Sequence, residues 1–107
     1  MSNEYSLDSY QSDAASFRLE SASPQYALLN LAGEVGELSS LFEKGIRDGR
    51  KLDFDINVKK ELGDILWSVA MVAMDHGYSL QDVALGNISK LSNRKINNTL
   101  SGSGDNR

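Results

Sequence analysis

Apolar residues recur at helical spacing in four stretches, and no segment shows the alternation expected of a strand. Leu7, Tyr10, Ala14 and Phe17 share one face of a first helix running from about Leu7 to Leu19. Ser23 and Pro24 read as an N-cap followed by proline at the first helical position, opening a second helix that continues to about Lys44. Gly45 is its expected stop. A polar connection from Gly45 to Asn57 follows, and Asp55 or Asn57 is placed to cap a third helix that runs to about His76 and ends at Gly77. Ser79, with Asp82 three residues on, resembles a capping box for a fourth helix ending near Arg94. The pattern predicts an all-α, four-helix domain over residues 1–96 and a flexible Gly-, Ser- and Asn-rich tail over 97–107.

Composition narrows the classes of function. A chain of 107 residues buries roughly two-thirds of its unfolded surface, so its own core is modest and further copies can add stability. The absence of cysteine excludes disulfides and thiolate metal sites and agrees with a cytoplasmic location. The N-terminus lacks the basic and apolar regions of a signal peptide, and the run ILWSVAMVAM is too short to span a bilayer, so no membrane partner is expected. A net charge of −4 argues against a broad grip on a nucleic-acid polymer and leaves room for a small anionic ligand held through metal ions.

The chemistry concentrates in two short motifs, Gly33-Glu34-Val35-Gly36-Glu37-Leu38 on the second helix and Glu61-Leu62-Gly63-Asp64 on the third. A spacing of three places each pair of acids on neighbouring positions of one face. An isolated pair of this kind is usually solvated surface; position on the wheel changes that. At about 100° per residue, Glu34 falls between Leu38 and Leu41, within an arc that also holds Ala27, Leu31, Val35 and Phe42. On the third helix Glu61, Asp64, Ser68 and Asp75 form one narrow stripe, while Val58, Leu62, Ile65, Leu66, Trp67, Val69, Val72 and Met74 fill nearly everything else.

Packing the two helices antiparallel gathers four carboxylates, and two like charges about 4 Å apart repel by about 4 kcal/mol at an effective dielectric of about 20. Such a cluster calls for cations. Hard oxygen ligands select magnesium or manganese, whose shell is commonly shared with phosphates, so a nucleotide polyphosphate is the natural ligand. A di-iron bundle expects Glu-x-x-His pairs; the single histidine, His76, stands at a helix C-terminus and is read as a charge partner there. Gly33, Gly36 and Gly63 are expected to permit close packing of the two helices. Arg47, Arg50 and Lys51 are read as solvated loop charge, with closure over phosphate as the alternative.

The spacing of GEVGEL and ELGDILW, with residues 38–60 between Glu37 and Glu61, resembles the MazG-like all-α nucleoside triphosphate pyrophosphohydrolases, whose signature is ExxE followed by ExxD on facing helices. The likeness extends from about Tyr10 to Arg94, and NISKLSNR resembles the family's NxxKxxxR pattern. It implies a four-helix, MazG-like bundle that assembles through an apolar helix interface as a homodimer or homotetramer. It also implies magnesium-dependent hydrolysis between the α and β phosphates of a (deoxy)nucleoside triphosphate, giving the monophosphate and pyrophosphate, with manganese as a substitute metal. Residue by residue, Glu34, Glu37, Glu61 and Asp64 match the metal ligands, with Glu37 also serving the attacking water. Asn87, Lys90 and Arg94 match phosphate-contacting positions, and Gln11, Phe17, Asn30, Trp67 and Ser68 are candidates for the base. A dUTPase-like or phosphoribosyl-ATP-hydrolysing relative and a non-catalytic binding module are the competing readings. Asp105 or Arg107 of the tail is a candidate lid.

Overall fold

A computed structural model describes residues 4–97. Four helices make it up: α1 (Leu7–Ala15), α2 (Pro24–Asp48), α3 (Phe54–Asp75) and α4 (Leu80–Ile96). No strand occurs among the described residues, and no helix there is long and apolar enough to cross a membrane. The expected tail from residue 98 onward, with Asp105 and Arg107, lies outside the described residues.

The caps follow local chemistry. Ser6 Oγ accepts from the Ser9 amide, Ser23 Oγ from Tyr26 and Ser79 Oγ from Asp82, each satisfying one of the orphan N–H groups at a helix start. Gly77 closes α3 as expected, at φ +78°, where a side chain would be strained. Three boundaries differ from the sequence expectation. First, α1 ends at Ala15 rather than Leu19: Ser16 Oγ donates to the Asp13 carbonyl, and the amides of Phe17 and Arg18 bond three residues back. Second, Gly45 does not stop α2, which runs on to Asp48 and ends at Gly49, φ +87°. Gly45 is instead a contact point, since a Cβ there would stand 3.2 Å from the Phe54 ring. Third, Asp53, not Asp55 or Asn57, holds the N-cap position of α3, without a side-chain capping bond.

The most extensive packing is between α2 and α3, while α4 lies on α1 and α3 and does not reach α2. Pairings along α2 and α3 fix their antiparallel register. Asn30 Nδ2 donates to Ser68 Oγ at 3.0 Å, the Glu34 carboxylate meets those of Glu61 and Asp64, and Gly45 meets Phe54. The core is small, comprising Ala14, Ala27, Ala70, Met71 and Leu80 with Leu7, Tyr10, Trp67, Val69 and Val72 packed around it. It sits where α1, the start of α2, the last half of α3 and the start of α4 converge.

Two polar braces bind this end. Gln11 is buried; its Nε2 donates to the carbonyls of Ala70 (3.1 Å) and Tyr78 (3.2 Å), and its Oε1 accepts from the Leu80 amide (3.0 Å). One side chain thereby ties α1 to α3, to the turn after it and to the first amide of α4. Arg18 makes a bidentate pair with Asp75 at 2.7 and 2.9 Å, both side chains only 13% exposed. Asp75 therefore leaves the acidic stripe predicted on α3: the Arg18 guanidinium holds its carboxyl below the usual range and raises its own pKa in return. His76 Nδ1 donates to the Val72 carbonyl at 2.9 Å, consistent with a C-terminal role.

Gly33, Gly36 and Gly63 have open space where a Cβ would be, so they do not mediate the α2–α3 contact within one chain. Val35 and Phe42 on the apolar arc of α2 and Leu62, Leu66 and Met74 on the apolar faces of α3 are exposed in the single chain.

Candidate functional site

One turn from the Asn30–Ser68 pair toward the α2–α3 connection, Glu34, Glu61 and Asp64 converge. Each offers a carboxylate oxygen, and these three atoms lie within 4.8 Å of one another. Helical spacing explains the arrangement: Glu34 is on the face of α2 that carries Ala27, Leu31, Leu38 and Leu41 against α3, and Glu61 and Asp64 stand on the stripe of α3 that continues to fully buried Ser68. The faces that build the helix contact deliver the acids to it.

The electrostatics are those of an uncompensated cluster. Burial, followed by the charges of Asp64, Glu37 and Glu61, pushes the Glu34 carboxyl above the ordinary range. Burial, then Glu37 and Asp64, does the same to Glu61. Oε2 of Glu34 and Oε2 of Glu61 are buried without a hydrogen-bond partner. A buried unsatisfied carboxylate oxygen is costly, and a cation removes both the repulsion and the missing bond. Three convergent carboxylates, two of them with an orphaned oxygen, thus fit a hard divalent cation. The pKa direction also sets the pH dependence of the metal-free fold. Glu34 and Glu61 hold protons to higher pH in the folded chain than in the unfolded one, so their contribution to stability falls as pH rises from the ordinary carboxylate range through their raised values.

Glu37, expected as a fourth ligand, stands at the margin. It is exposed and outside the three-acid group, though near enough for its charge to act on both Glu34 and Glu61. Beside it, a cavity of about 330 Å³ is lined by Glu37, Ser40, Leu41, Lys44, Asn57 and Glu61. A second, of about 220 Å³, shares Leu41, Lys44 and Asn57 and continues toward Lys51 and Phe54. There the Arg50 guanidinium lies 4.4 Å from the Phe54 ring centroid, and Phe42 packs edge-on against Phe54.

The remaining expected site residues lie on other parts of the fold. Asn87 and Lys90 are exposed on α4 and Arg94 is half-buried near its end; α4 packs on α3, which carries Glu61 and Asp64, and its backbone does not approach that of α2. Among the base candidates, Ser68 is buried behind Asn30, and Trp67 is half-buried with its indole N–H donating to the Ala14 carbonyl at 3.0 Å. Phe17 is 79% exposed just beyond α1. Gln11 spends its amide on the backbone, as described above, so its position is explained by the fold and not by a ligand. Arg18 has no local signal in the sequence, because its partner is 57 positions away; Lys44, which the helical pattern marks only as a helix end, lines both cavities.

A family model described as the MazG nucleotide pyrophosphohydrolase domain matches residues 22–98, which takes in α2, α3 and α4 and leaves α1 outside. The chain is also 36% identical over 85 residues to the Gene 37 protein of Mycobacterium phage L5, an overlap covering 77% of this chain and 75% of that protein. No solved structure matches the chain significantly. With both acid motifs inside the matched region and its helices forming the fold, this chain belongs to the MazG nucleotide pyrophosphohydrolase domain family.

Proposed function

We propose that the chain is a magnesium-dependent pyrophosphohydrolase that cleaves nucleoside triphosphates between the α and β phosphates, releasing the monophosphate and pyrophosphate. The observation that carries this reading is the cluster of Glu34, Glu61 and Asp64, with two buried oxygens lacking partners, inside a MazG-family helix pair. In this reading those three acids hold the metal and Glu37, exposed at the rim beside Glu61, orients the attacking water and takes its proton. Magnesium, or manganese in its place, supplies charge neutralisation on phosphate and a more acidic water. Asn30 and Trp67 lie on the side of the acids away from the α2–α3 connection and, with Phe17, are proposed to face the nucleoside. Asn87, Lys90 and Arg94 are proposed to contact phosphate.

The reading is tested with a panel of ribo- and deoxyribonucleoside triphosphates, with dUDP added, in magnesium and in chelator, the products being separated by chromatography. Magnesium-dependent formation of monophosphate and pyrophosphate is expected. Cleavage of dUDP at the same bond would give dUMP and orthophosphate; orthophosphate as the product from a triphosphate, or no turnover of any member, would overturn it.

The same reading includes assembly into a homo-oligomer. Leu28 and Leu29 on α2 and Leu62 and Leu66 on α3 are exposed in the single chain, and Gly33, Gly36 and Gly63 offer open surface on the same two helices. Burying a leucine contributes about 1.5–3 kcal/mol, so a few such side chains suffice to drive association. Light scattering at micromolar concentration should give the mass of two or four chains; a single-chain mass contradicts the assembly.

A further inference from the structure

The cavity beside the acids changes chemistry along its length. Beyond Glu37 and Glu61, on the same two helices, it is lined by Ser40, Lys44 and Asn57, which supply a hydroxyl, an ammonium and a carboxamide. Lys44 is exposed and forms no ion pair among the described residues, and neither Ser40 nor Asn57 has a side-chain hydrogen-bond partner there. Of the other charges nearby, Arg50 is stacked on Phe54 and Asp48 is paired with Arg47 at 2.9 Å, while Lys51 and Asp53 line the adjoining cavity. A cavity with carboxylates at one end and unspent donors toward the other suits an anion that shares a cation with the acids.

Direction along the helix pair identifies which anion. The Asn30–Ser68 pair lies on one side of the acids, and the donor-lined cavity lies on the other, toward the α2–α3 connection. A triphosphate whose scissile linkage is at the acids and whose nucleoside is on the Asn30 side must send its β and γ phosphates this way. We propose that the cavity between Glu37 and Lys44 is the subsite for the pyrophosphate portion of the substrate. Lys44 is its charged contact, with Ser40 and Asn57 as additional donors; this rests on the functional reading above. Lys44 holds the departing pyrophosphate and stabilises the charge it acquires.

The test is calorimetric binding of inorganic pyrophosphate and, separately, of nucleoside monophosphates, to the full chain in magnesium. Lys44→Gln should weaken pyrophosphate binding about ten- to a hundredfold, the loss expected for one hydrogen bond to a charged group. Monophosphate binding should stay unchanged, and Lys44→Arg should recover most of the pyrophosphate affinity. Failure of the wild type to bind pyrophosphate, an unchanged affinity in Lys44→Gln, or an equal loss for both ligands would overturn the subsite. Because binding is read without turnover, these results are separate from the product panel, whose failure would remove the reaction and not the anion site.

Discussion

Glu61→Gln and Asp64→Asn should each keep the helical fold and lose at least about a hundredfold in turnover of the preferred triphosphate. Each change preserves shape and removes a carboxylate from a cluster whose ligand atoms lie within 4.8 Å of one another. An amide oxygen is a weaker ligand for a hard cation than a carboxylate, and removing a ligand or its close support typically costs tenfold or more in metal affinity or activity. The same substitutions should not unfold the chain. Glu61 is destabilised by burial and by the charges of Glu37 and Asp64, so neutralising it relieves the metal-free protein. Loss of activity accompanied by unchanged or raised melting temperature is the expected signature. Near-normal turnover would remove these residues from the site, and loss of activity through unfolding would make them structural.

Gln11→Leu should produce the opposite signature. Its three hydrogen bonds serve the carbonyls of Ala70 and Tyr78 and the amide of Leu80, in a part of the core where Ala70 and Leu80 are themselves buried. Leucine fills similar volume and satisfies none of them. The Leu80 amide is one of the orphan donors at the start of α4, and leaving such a group buried and unpaired costs about 1–3 kcal/mol. The carbonyls lose less, because the Ala70 carbonyl belongs to a helix. A net loss of about 3 kcal/mol, or a fall of at least about 10 °C in melting temperature, is expected. Urea unfolding of the variant checks it; an unchanged midpoint would show that the brace contributes nothing, and lost nucleotide affinity at full stability would return Gln11 to the base pocket.

These two cases also mark what is legible in this sequence. Helix number, the serine caps at Ser23 and Ser79 and the convergence of Glu34, Glu61 and Asp64 follow from periodicity, because each depends on spacing within a single helix and on one simple antiparallel pairing. The errors come where a residue answers to something distant. Gly45 carries the ordinary mark of a helix end, yet it sits within α2, where a Cβ would stand a tight 3.2 Å from the Phe54 ring. Asp75 shares the wheel position of the site acids but is claimed by Arg18, which no local pattern announces. Gln11 is a base candidate by resemblance alone, and its bracing role goes unannounced because its partners lie 59 to 69 positions away. Val35, Leu62 and Leu66 look like core on a wheel and are exposed in one chain, because periodicity marks an apolar face without saying whether the same chain covers it.

The most direct measurement of the central claim is magnesium binding by titration calorimetry at pH 8, comparing the wild type with Glu61→Gln and Asp64→Asn and repeating the wild type at pH 5. The account predicts saturable binding to the wild type that is weaker at pH 5, where protons compete for the raised carboxyls of Glu34 and Glu61, and that is lost or strongly weakened in both variants. Equal magnesium affinity in all three proteins, or affinity indifferent to pH, would place the metal elsewhere and contradict it.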